Sequence, residues 1–392
     1  MKRLLVFTSW YPGKNRPQDF PFVAQQVKVM QAYLPKLSGE DWKIAVWCEG
    51  LPYDAWGRLL KSEATDDFWM DENIPVLNRR GVILSHHLNV NQNLLLVGGM
   101  KRAFRNIEKL LGGKPDLVWT ITFSATLLWN YFQEEINLRT PYFLQEHSVP
   151  LKMQLNNHQK VKHGSKLIQE GLKCVVVAER QIAEFKHLTK NSRPLVIWNC
   201  VDHSFLSESI EKPPGIHLVF VGRLSPQKGL DRLFKALSLL TRDYDELKLH
   251  MVGDGELKDS LVELALELKI ENLIIWEGSQ RPNEIGAILD SCNIFVLPSL
   301  YENCPVSLLE AQVKGLACVC TENGASEKVL LQGNGISVAD RGDGVALSRG
   351  IKEVIDTLAH YDRDNIRKRS IAHFAPEIFA QNMWGVMRGL LK

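Results

Sequence analysis

The chain has 392 residues, which is too long for one ordinary domain and fits two domains of similar size. Its hydrophobic content of 45% and charged content of 23% are typical of a soluble globular protein, and no apolar run approaches the roughly 20 residues of a membrane helix. The seven cysteines are scattered without a C-x-x-C pair, which argues against a disulfide framework and a zinc site. A polar turn directly follows the apolar run Leu4–Phe7, so we expect a buried strand there, no signal peptide, and a cytoplasmic protein.

The net charge of +2 conceals an uneven distribution. Residues 1–200 contain 26 Lys and Arg against 18 Asp and Glu, a balance of +8, whereas the remaining residues contain 21 against 27, a balance of −6. The excess of cations predicts either solvated helix faces or a surface that docks peripherally on the anionic inner face of the cell membrane. Nucleic acid is not expected as a partner, because the whole chain is nearly neutral and carries no known reading module.

Short apolar runs alternate with helical patterns along the chain, which predicts an α/β protein with two doubly wound, parallel sheets. In the first half, strands are expected at Leu4–Thr8, Trp42–Trp47, Leu117–Ile121, Tyr142–Gln145, Cys174–Val177 and Leu195–Ile197. In the second half, they are expected at His217–Val221, Lys248–Val252, Leu273–Trp276, Ile294–Leu297 and Ala317–Cys320. A Pro-containing segment, Val201–Gly215, is predicted to link a first domain (residues 1–200) to a second (residues 201–374), with a terminal helix in residues 375–392.

The segment from Val219 to Leu237 has the pattern of an anion-binding turn. It reads V-F-V-G-R-L-S-P-Q-K-G-L-D-R-L-F-K-A-L, so that a strand is followed by a glycine, an arginine, a turn, a lysine and an amphipathic helix. Gly222 allows a ligand to approach the backbone closely. Arg223 and Lys228 bring two cations to a helix N-terminus, which itself favours anions. The pattern predicts a cradle for a diphosphate that requires no metal ion.

A second informative segment runs from residue 298 to residue 311 and reads P-S-L-Y-E-N-C-P-V-S-L-L-E-A. Pro298 ends a predicted strand, and Pro305 fits the first turn of a helix, where a missing N–H costs nothing. Glu302 therefore lies in a loop at the carboxyl end of a strand, where ligands bind in open α/β sheets, and Glu310 lies within the helix. These two carboxylates are placed to hold two hydroxyl-bearing parts of one ligand.

Together these segments resemble the retaining glycosyltransferases of family 4, which have the GT-B fold of two Rossmann-like domains facing a central cleft. Further segments follow in the family's order. They are F-T-S-W-Y-P from Phe7, Q-E-H-S from Gln145, W-N-C-V-D from Trp198, V-G-D-G-E-L from Val252 and T-E-N-G-A-S-E from Thr321.

The resemblance implies roles for individual residues. Arg223 and Lys228 would bind the donor diphosphate, Glu302 the donor sugar and Glu310 the nucleotide ribose. His147 would lie near the donor sugar on the first domain and join Arg223, Lys228 and Glu302 as a catalytic residue. The remaining donor contacts expected from the resemblance are Gly222, Gly253, Asn303, Pro305 and Val306, and Gly13 is expected to provide the close backbone approach to the phosphate in place of the family's usual glycine.

The resemblance also implies a reaction. The protein would move a hexose, with retention, from a UDP- or GDP-sugar to a lipid-linked or oligosaccharide acceptor in surface polysaccharide, lipopolysaccharide or capsule biosynthesis. No cofactor or metal ion is expected. Two alternatives remain open: a GT-B-fold sugar-nucleotide epimerase, and a catalytically inert nucleotide-sugar-binding protein.

Some features depart from the family pattern or point elsewhere. Phe20 and Pro21 stand near the position where the family usually has a glycine, and Cys200 replaces the glycine of an N-G-V-D motif. The segments at residues 243–245 and 362–364 match D-x-D, the metal motif of the other large glycosyltransferase fold. Both are short and lie beside predicted helices, so we expect no metal role for them.

Overall fold

The structure is a computed structural model that describes residues 1–13, 20–49, 67–79, 91–148, 158–190, 192–207, 215–244, 246–340 and 342–391. The chain divides into two compact units. The first unit contains residues 1–177, 181–197 and 380–392, and the second contains residues 178–180 and 198–379. Residues 208–214 of the predicted linker lie outside the described residues.

The first unit is built on an eight-stranded sheet with the order β3-β4-β2-β1-β5-β6-β7-β8. Its strands are β1 (Lys2–Thr8), β2 (Trp42–Glu49), β3 (Asp67–Asp71), β4 (Ile74–Arg79), β5 (Leu117–Ile121), β6 (Tyr142–Glu146), β7 (Lys173–Val176) and β8 (Leu195–Val196). The central strands are apolar runs that are buried along most of their length, as expected for parallel strands covered on both faces.

One edge of this sheet corrects the prediction that both sheets are wholly parallel. Strand β3 pairs antiparallel with β4, and the sequence analysis predicted neither strand. The reason is that β3 is short and its residues alternate between half-buried and exposed, so that no continuous apolar run marks it. Strand β4 then pairs parallel with β2, so the sheet is mixed.

Helices pack on both faces of the first sheet. They are α1 (Pro21–Ser38), α2 (Asn91–Leu111), α3 (Phe123–Glu135), α4 (His158–Gln169) and α5 (Arg180–Leu188). One core cluster packs α2 and α3 on the sheet around Trp47, Trp129 and Phe132. The end of the chain belongs to the same unit, where the ring of Trp384 meets that of Trp42 edge to face, with ring centroids 6.2 Å apart.

The second unit is built on a six-stranded parallel sheet with the order β11-β10-β9-β12-β13-β14. The strands are β9 (Ile216–Val221), β10 (Leu247–Val252), β11 (Ile274–Gly278), β12 (Ile294–Leu297), β13 (Ala317–Thr321) and β14 (Gly335–Val338). The strand order reverses between β9 and β12, and such a reversal opens a crevice at the carboxyl ends of the two strands. The loops that carry the predicted diphosphate and sugar ligands leave from these two strands.

The helices of the second unit follow its strands. They are α6 (Leu230–Leu240), α7 (Lys258–Glu267), α8 (Pro282–Asp290), α9 (Val306–Val313), α10 (Ser326–Val329), α11 (Val345–Asp356), α12 (Arg363–Phe374) and α13 (Pro376–Arg388), the last of which ends in the first unit. Within the described part of the chain, no helix is long and apolar enough to cross a membrane.

Candidate active site

Glycines allow the loops at the carboxyl edge of the second sheet to pack closely together. A Cβ on Gly253 would lie 2.0 Å from the carbonyl oxygen of Gly222, so the loop after β10 can approach the loop after β9 only with glycine at this position. A Cβ on Gly229 would lie 2.4 Å from the carbonyl oxygen of Pro298, which brings the loop after β9 against the end of β12. The sequence segments that suggested a ligand site are therefore neighbours in space.

Lys228 and Glu302 form an ion pair at this point. The Nζ atom of Lys228 lies 2.6 Å from Oε1 of Glu302, and the two side chains are only 17% and 9% exposed. Lys228 lies in a 3₁₀ turn, Pro226–Lys228, that precedes α6, whereas the sequence analysis placed it at the start of the helix itself. The 3₁₀ turn directs its ammonium group at the loop after β12.

Arg223 is the second predicted cation, and the structure directs it elsewhere. Its guanidinium group lies 3.2 Å from Oε2 of Glu256, and its side chain is 72% exposed. Glu256 follows Gly253 in the loop after β10. The two cations of the predicted cradle thus differ: Lys228 is largely buried and held by Glu302, whereas Arg223 is open to solvent.

Arg180 supports the loop that carries Glu302, although no motif in the sequence marks it. Its Nη1 atom donates hydrogen bonds of 3.2 Å to the backbone carbonyls of Glu302 and Asn323, and its guanidinium carbon lies 3.9 Å from the centre of the Tyr301 ring. An arginine at the start of a helix is ordinary in sequence, so only its contacts reveal this role.

Other predicted donor contacts lie in the same loop and in the following helix. Asn303 is buried, Pro305 is the N-cap residue of α9, and Val306 is the first residue of that helix. Between them, the backbone carbonyl of Cys304 accepts a 3.0 Å hydrogen bond from the side-chain amide of Asn199. This bond joins the W-N-C-V-D segment to the loop of Glu302, and both belong to the second unit.

Glu310 lies inside α9 and does not contact Lys228 or Glu302 through a hydrogen bond or ion pair in the described part of the chain. It keeps part of its surface exposed. Burial raises the pKa of its carboxyl group to about 8, and the negative charge of Asp202 adds to that rise. A carboxyl group with a pKa raised in this way holds its proton at neutral pH more often than an ordinary glutamate does, and the protonated form can donate a hydrogen bond.

In the first unit, His147 follows β6 and is largely buried. Its ring lies 5.0 Å from that of Phe22, and burial lowers its pKa to about 3. The imidazole is therefore neutral at physiological pH. The carboxylate of Glu146 accepts hydrogen bonds from Phe123 N, Ser148 N and Ser148 Oγ at 2.6–2.7 Å, and burial nevertheless raises its pKa to about 7.

The loop after β1 contains Gly13, which is half-buried. Residues 14–19 lie outside the described residues. At the far end of this loop Phe20 adopts a left-handed backbone, with φ of 52°, and its ring stacks on that of Trp10 at 4.9 Å. A left-handed backbone is the conformation for which glycine is usually selected. Phe20 thus takes this conformation close to the place where the family has a glycine, and the stack with Trp10 helps to hold it.

The two D-x-D segments have other partners. Asp362 is the N-cap residue of α12 and accepts hydrogen bonds from the backbone N–H groups of Asp364 and Asn365. Asp243 pairs with Lys352 at 3.2 Å, and residue 245 lies outside the described residues. No group of three or more His, Cys, Asp or Glu side chains in the described part of the chain is arranged to hold a metal ion.

Comparison with known proteins identifies the second unit. Residues 205–370 match the family model described as "Glycosyl transferases group 1". This part of the chain belongs to that family. A relative from Methanocaldococcus jannaschii, named as an uncharacterized glycosyltransferase, is 36% identical over 272 residues, which make up 63% of this chain and 65% of the relative. In four curated relatives, the matched segments span between 32% and 65% of the relative's length.

Solved structures match the whole chain. The Anabaena protein HepE in complex with UDP-glucose has a TM-score of 0.68 at 16% identity, with 100% of both chains covered. The lipopolysaccharide outer core galactosyltransferase WaaB has a TM-score of 0.68 at 18% identity, with 99% of both chains covered. Likeness at this level of identity establishes the fold, and the chain has the GT-B fold that the sequence analysis predicted.

Proposed function

We propose that this protein is a retaining glycosyltransferase that moves a hexose from a UDP- or GDP-sugar to a sugar acceptor. The observation that carries the proposal is the Lys228–Glu302 ion pair at the reversal point of the second sheet. It places a cation suited to a diphosphate beside a carboxylate suited to sugar hydroxyls. The family match of residues 205–370 and the complex of HepE with UDP-glucose support a nucleotide sugar as the donor.

The ion pair also indicates how a donor would be received. A diphosphate carries more negative charge than Glu302 and would draw the ammonium group of Lys228 to itself, with Arg223 adding a second cation. Glu302 would then be released to accept hydrogen bonds from the sugar. As the bond between C1 and the phosphate oxygen breaks, negative charge grows on the diphosphate, and Lys228 stabilises it.

Retention of configuration follows if the acceptor attacks the face of the sugar that the diphosphate leaves. The acceptor oxygen forms the new bond to C1, and its proton passes to the departing phosphate oxygen, so no carboxylate nucleophile is needed. His147 would exchange no proton in this route, because its pKa of about 3 keeps it neutral. The donor contacts of this route require no metal ion or other cofactor.

A panel of UDP- and GDP-sugars tests the proposal, with products followed by mass spectrometry and NMR. A transferase hydrolyses one donor slowly, and once an acceptor is found it yields a product whose anomeric configuration matches the donor. Conversion of the nucleotide sugar to its epimer without release of the nucleotide would establish an epimerase instead. Binding without turnover for every donor and acceptor would establish an inert binding protein.

We further propose that the acceptor is a lipid-linked or oligosaccharide intermediate of surface polysaccharide, lipopolysaccharide or capsule biosynthesis, and that the first unit docks on an anionic membrane. The named activity of WaaB supports the pathway class. The exposed face of α2 carries four cations within nine residues, Lys101, Arg102, Arg105 and Lys109.

Two exposed apolar side chains lie on the same face of the first sheet as α2. Phe68 is opposite Leu77 in the β3–β4 pair, and Leu77 packs in the core beneath α2. Phe68 and Met70 are 51% and 52% exposed. Cations together with apolar groups are the combination that binds anionic lipid surfaces.

Co-sedimentation with phosphatidylglycerol and phosphatidylcholine vesicles tests the docking. We expect binding to the anionic vesicles alone, weaker at high salt and reduced by Arg105→Glu. The control is Lys328→Glu, an equal change of charge at an exposed position of the second unit. Equal binding to both kinds of vesicle, or an equal loss in the two variants, would contradict the docking proposal.

A further inference from the structure

His147 lies in a turn of the first unit, and the backbone carbonyls before and after it both accept hydrogen bonds from the side chain of Gln181. The Nε2 atom of Gln181 lies 3.2 Å from the carbonyl oxygen of Glu146 and 3.2 Å from that of Ser148. These are the residues on either side of His147. Gln181 is 2% exposed and comes from the first turn of α5, so the contact is enclosed by protein.

The other end of the same amide is also engaged. The Oε1 atom of Gln181 accepts a 2.9 Å hydrogen bond from the backbone N–H of Val177, directly after β7. Strand β7 is the neighbour of β6, which leads into the His147 turn. The amide therefore connects the ends of two adjacent strands, and it needs both a donor and an acceptor to do so.

We propose that Gln181 is the positioning residue for His147: by holding the carbonyls on both sides of it, the amide fixes the direction in which the imidazole projects. The carboxylate of Glu146, which accepts two hydrogen bonds from Ser148, closes the same turn from the other side. Two buried side chains thus fix three consecutive residues. The functional meaning of this arrangement rests on the proposed glycosyltransferase activity, whereas the arrangement itself does not.

Gln181→Glu tests the donor function of the amide separately from its acceptor function. It retains an acceptor for Val177 N–H and replaces the donor with a carboxylate oxygen, which faces two carbonyl oxygens. Gln181→Met is a second variant of similar volume that removes the donor without adding charge. A matched control is Gln312→Glu, because Gln312 is equally buried, donates to the carbonyls of Leu308 and Val329, and lies in the second unit.

The measurement is NMR of histidine labelled at the ring, with the His147 signal assigned by its loss in His147→Gln. In the unaltered protein this signal should not change between pH 5 and 8, because burial holds its pKa near 3. In both Gln181 variants the turn opens to water, and the signal should titrate within that range. Gln312→Glu should be destabilised to a similar degree and leave the signal unchanged.

The second measurement is turnover of a donor that the panel shows to be active. Displacement of a positioned group by about 1 Å can cost about 100-fold in rate, so we expect kcat to fall by about 10- to 100-fold in Gln181→Glu with little change in KM for the donor. A His147 signal identical to that of the unaltered protein in both folded variants would overturn the positioning role. If no donor in the panel reacts, the proposed function fails, and the NMR result still decides the role of Gln181.

Discussion

The loop of Glu302 and the turn of His147 follow parallel strands in similar folds, yet different forces hold them. In the second unit, the loop is held by charge: Lys228 pairs with Glu302 at 2.6 Å, and Arg180 donates to its backbone. In the first unit, the His147 turn is held by an uncharged amide and a carboxyl group whose pKa burial raises to about 7. Under the proposed function, Lys228 would exchange Glu302 for a diphosphate, whereas the His147 turn would hold a neutral ring in place.

This difference explains where the family signal lies. Residues 205–370, which match the family model, fall within the second unit, where the ligand proposed is a diphosphate. The diphosphate is the same group in every nucleotide-sugar donor. A site that binds it needs cations and a backbone that approaches it closely, so the residues of such a site form a recognisable sequence pattern. The His147 turn of the first unit is held by an amide and a buried carboxyl group, which form no comparable pattern.

The largest effect that tests this comparison should come from Lys228→Ala. The variant loses a charge-assisted hydrogen bond to the diphosphate, which corresponds to about 1.5–3 kcal/mol, or roughly 10- to 150-fold in kcat at saturating donor. It also leaves the largely buried carboxylate of Glu302 without its cation. Lys352→Ala, which removes a half-exposed surface pair with Asp243, is the control and should be nearly neutral. Turnover close to that of the unaltered protein in Lys228→Ala would remove the basis of the proposed function.

A smaller effect is expected from Arg223→Ala, and this ranking depends on the structure. From residue type alone, Arg223 would equal or exceed Lys228, because a guanidinium group binds a phosphate with two parallel hydrogen bonds. The side chain is, however, 72% exposed, and its partner Glu256 is 49% exposed. We expect roughly a 10-fold loss in kcat, or about 1.4 kcal/mol. Glu256→Gln, which frees Arg223, should not reduce the rate, and a larger loss in Arg223→Ala than in Lys228→Ala would reverse the ranking.

The elements that the sequence predicted share one physical property. Strands such as β5 and β12 were predicted with their observed ends because they are buried on both faces and appear as unbroken apolar runs. Strand β14 was missed because all four of its residues are half-buried and it begins with glycine. Strand β3 was missed because its residues alternate in exposure, and β4 because Pro75 and Asn78 interrupt its apolar run. Burial on one face only leaves a weaker pattern in the sequence.

For the candidate site, the sequence indicated residue types and not their partners. The proximity of Lys228 to Glu302 is consistent with the two motifs, but a direct ion pair between residues 74 positions apart depends on the strand order of the folded sheet. Gln181 left no signal, since a glutamine in the first turn of a helix is ordinary. Its role appears only when its two carbonyl partners are seen.

A still smaller effect is expected for Glu310, as a dependence of the thermal stability of the protein on pH. Its folded pKa, raised to about 8, lies above the ordinary value of 4.5, so the folded protein binds this proton more tightly than the unfolded chain does. The stability that this group contributes is complete below pH 4.5 and is lost as the pH rises to about 8. Glu310→Gln cannot lose a proton, so its Tm relative to the unaltered protein should rise between pH 5 and pH 8.5. A change of about 1 kcal/mol corresponds to roughly 2–4 °C.

The control for this measurement is Glu322→Gln, at an exposed position of the second unit, whose Tm should follow that of the unaltered protein at every pH. Asp202→Asn should lower the pKa of Glu310 part of the way toward its ordinary value, because the substitution removes the neighbouring charge. If the Tm difference between Glu310→Gln and the unaltered protein is constant across the range, the environment of Glu310 is more polar than the structure indicates.

The smallest effect expected is that of removing divalent metal ions, which should leave turnover unchanged. Under the proposed function, the charge that develops on the departing diphosphate would be matched by Lys228 and Arg223 and by the N–H groups at the start of α6, so that the protein would supply the positive charge of the site. A divalent ion would need carboxylates directed at the diphosphate, yet Asp362 caps a helix and Asp243 pairs with Lys352. Turnover should therefore be equal in excess EDTA and in added magnesium or manganese. Activity that disappears in EDTA and returns with manganese would show that a metal ion adds to the positive charge of Lys228 at the loop of Glu302. The contrast between the two regions would then depend on the metal ion as well as on Lys228.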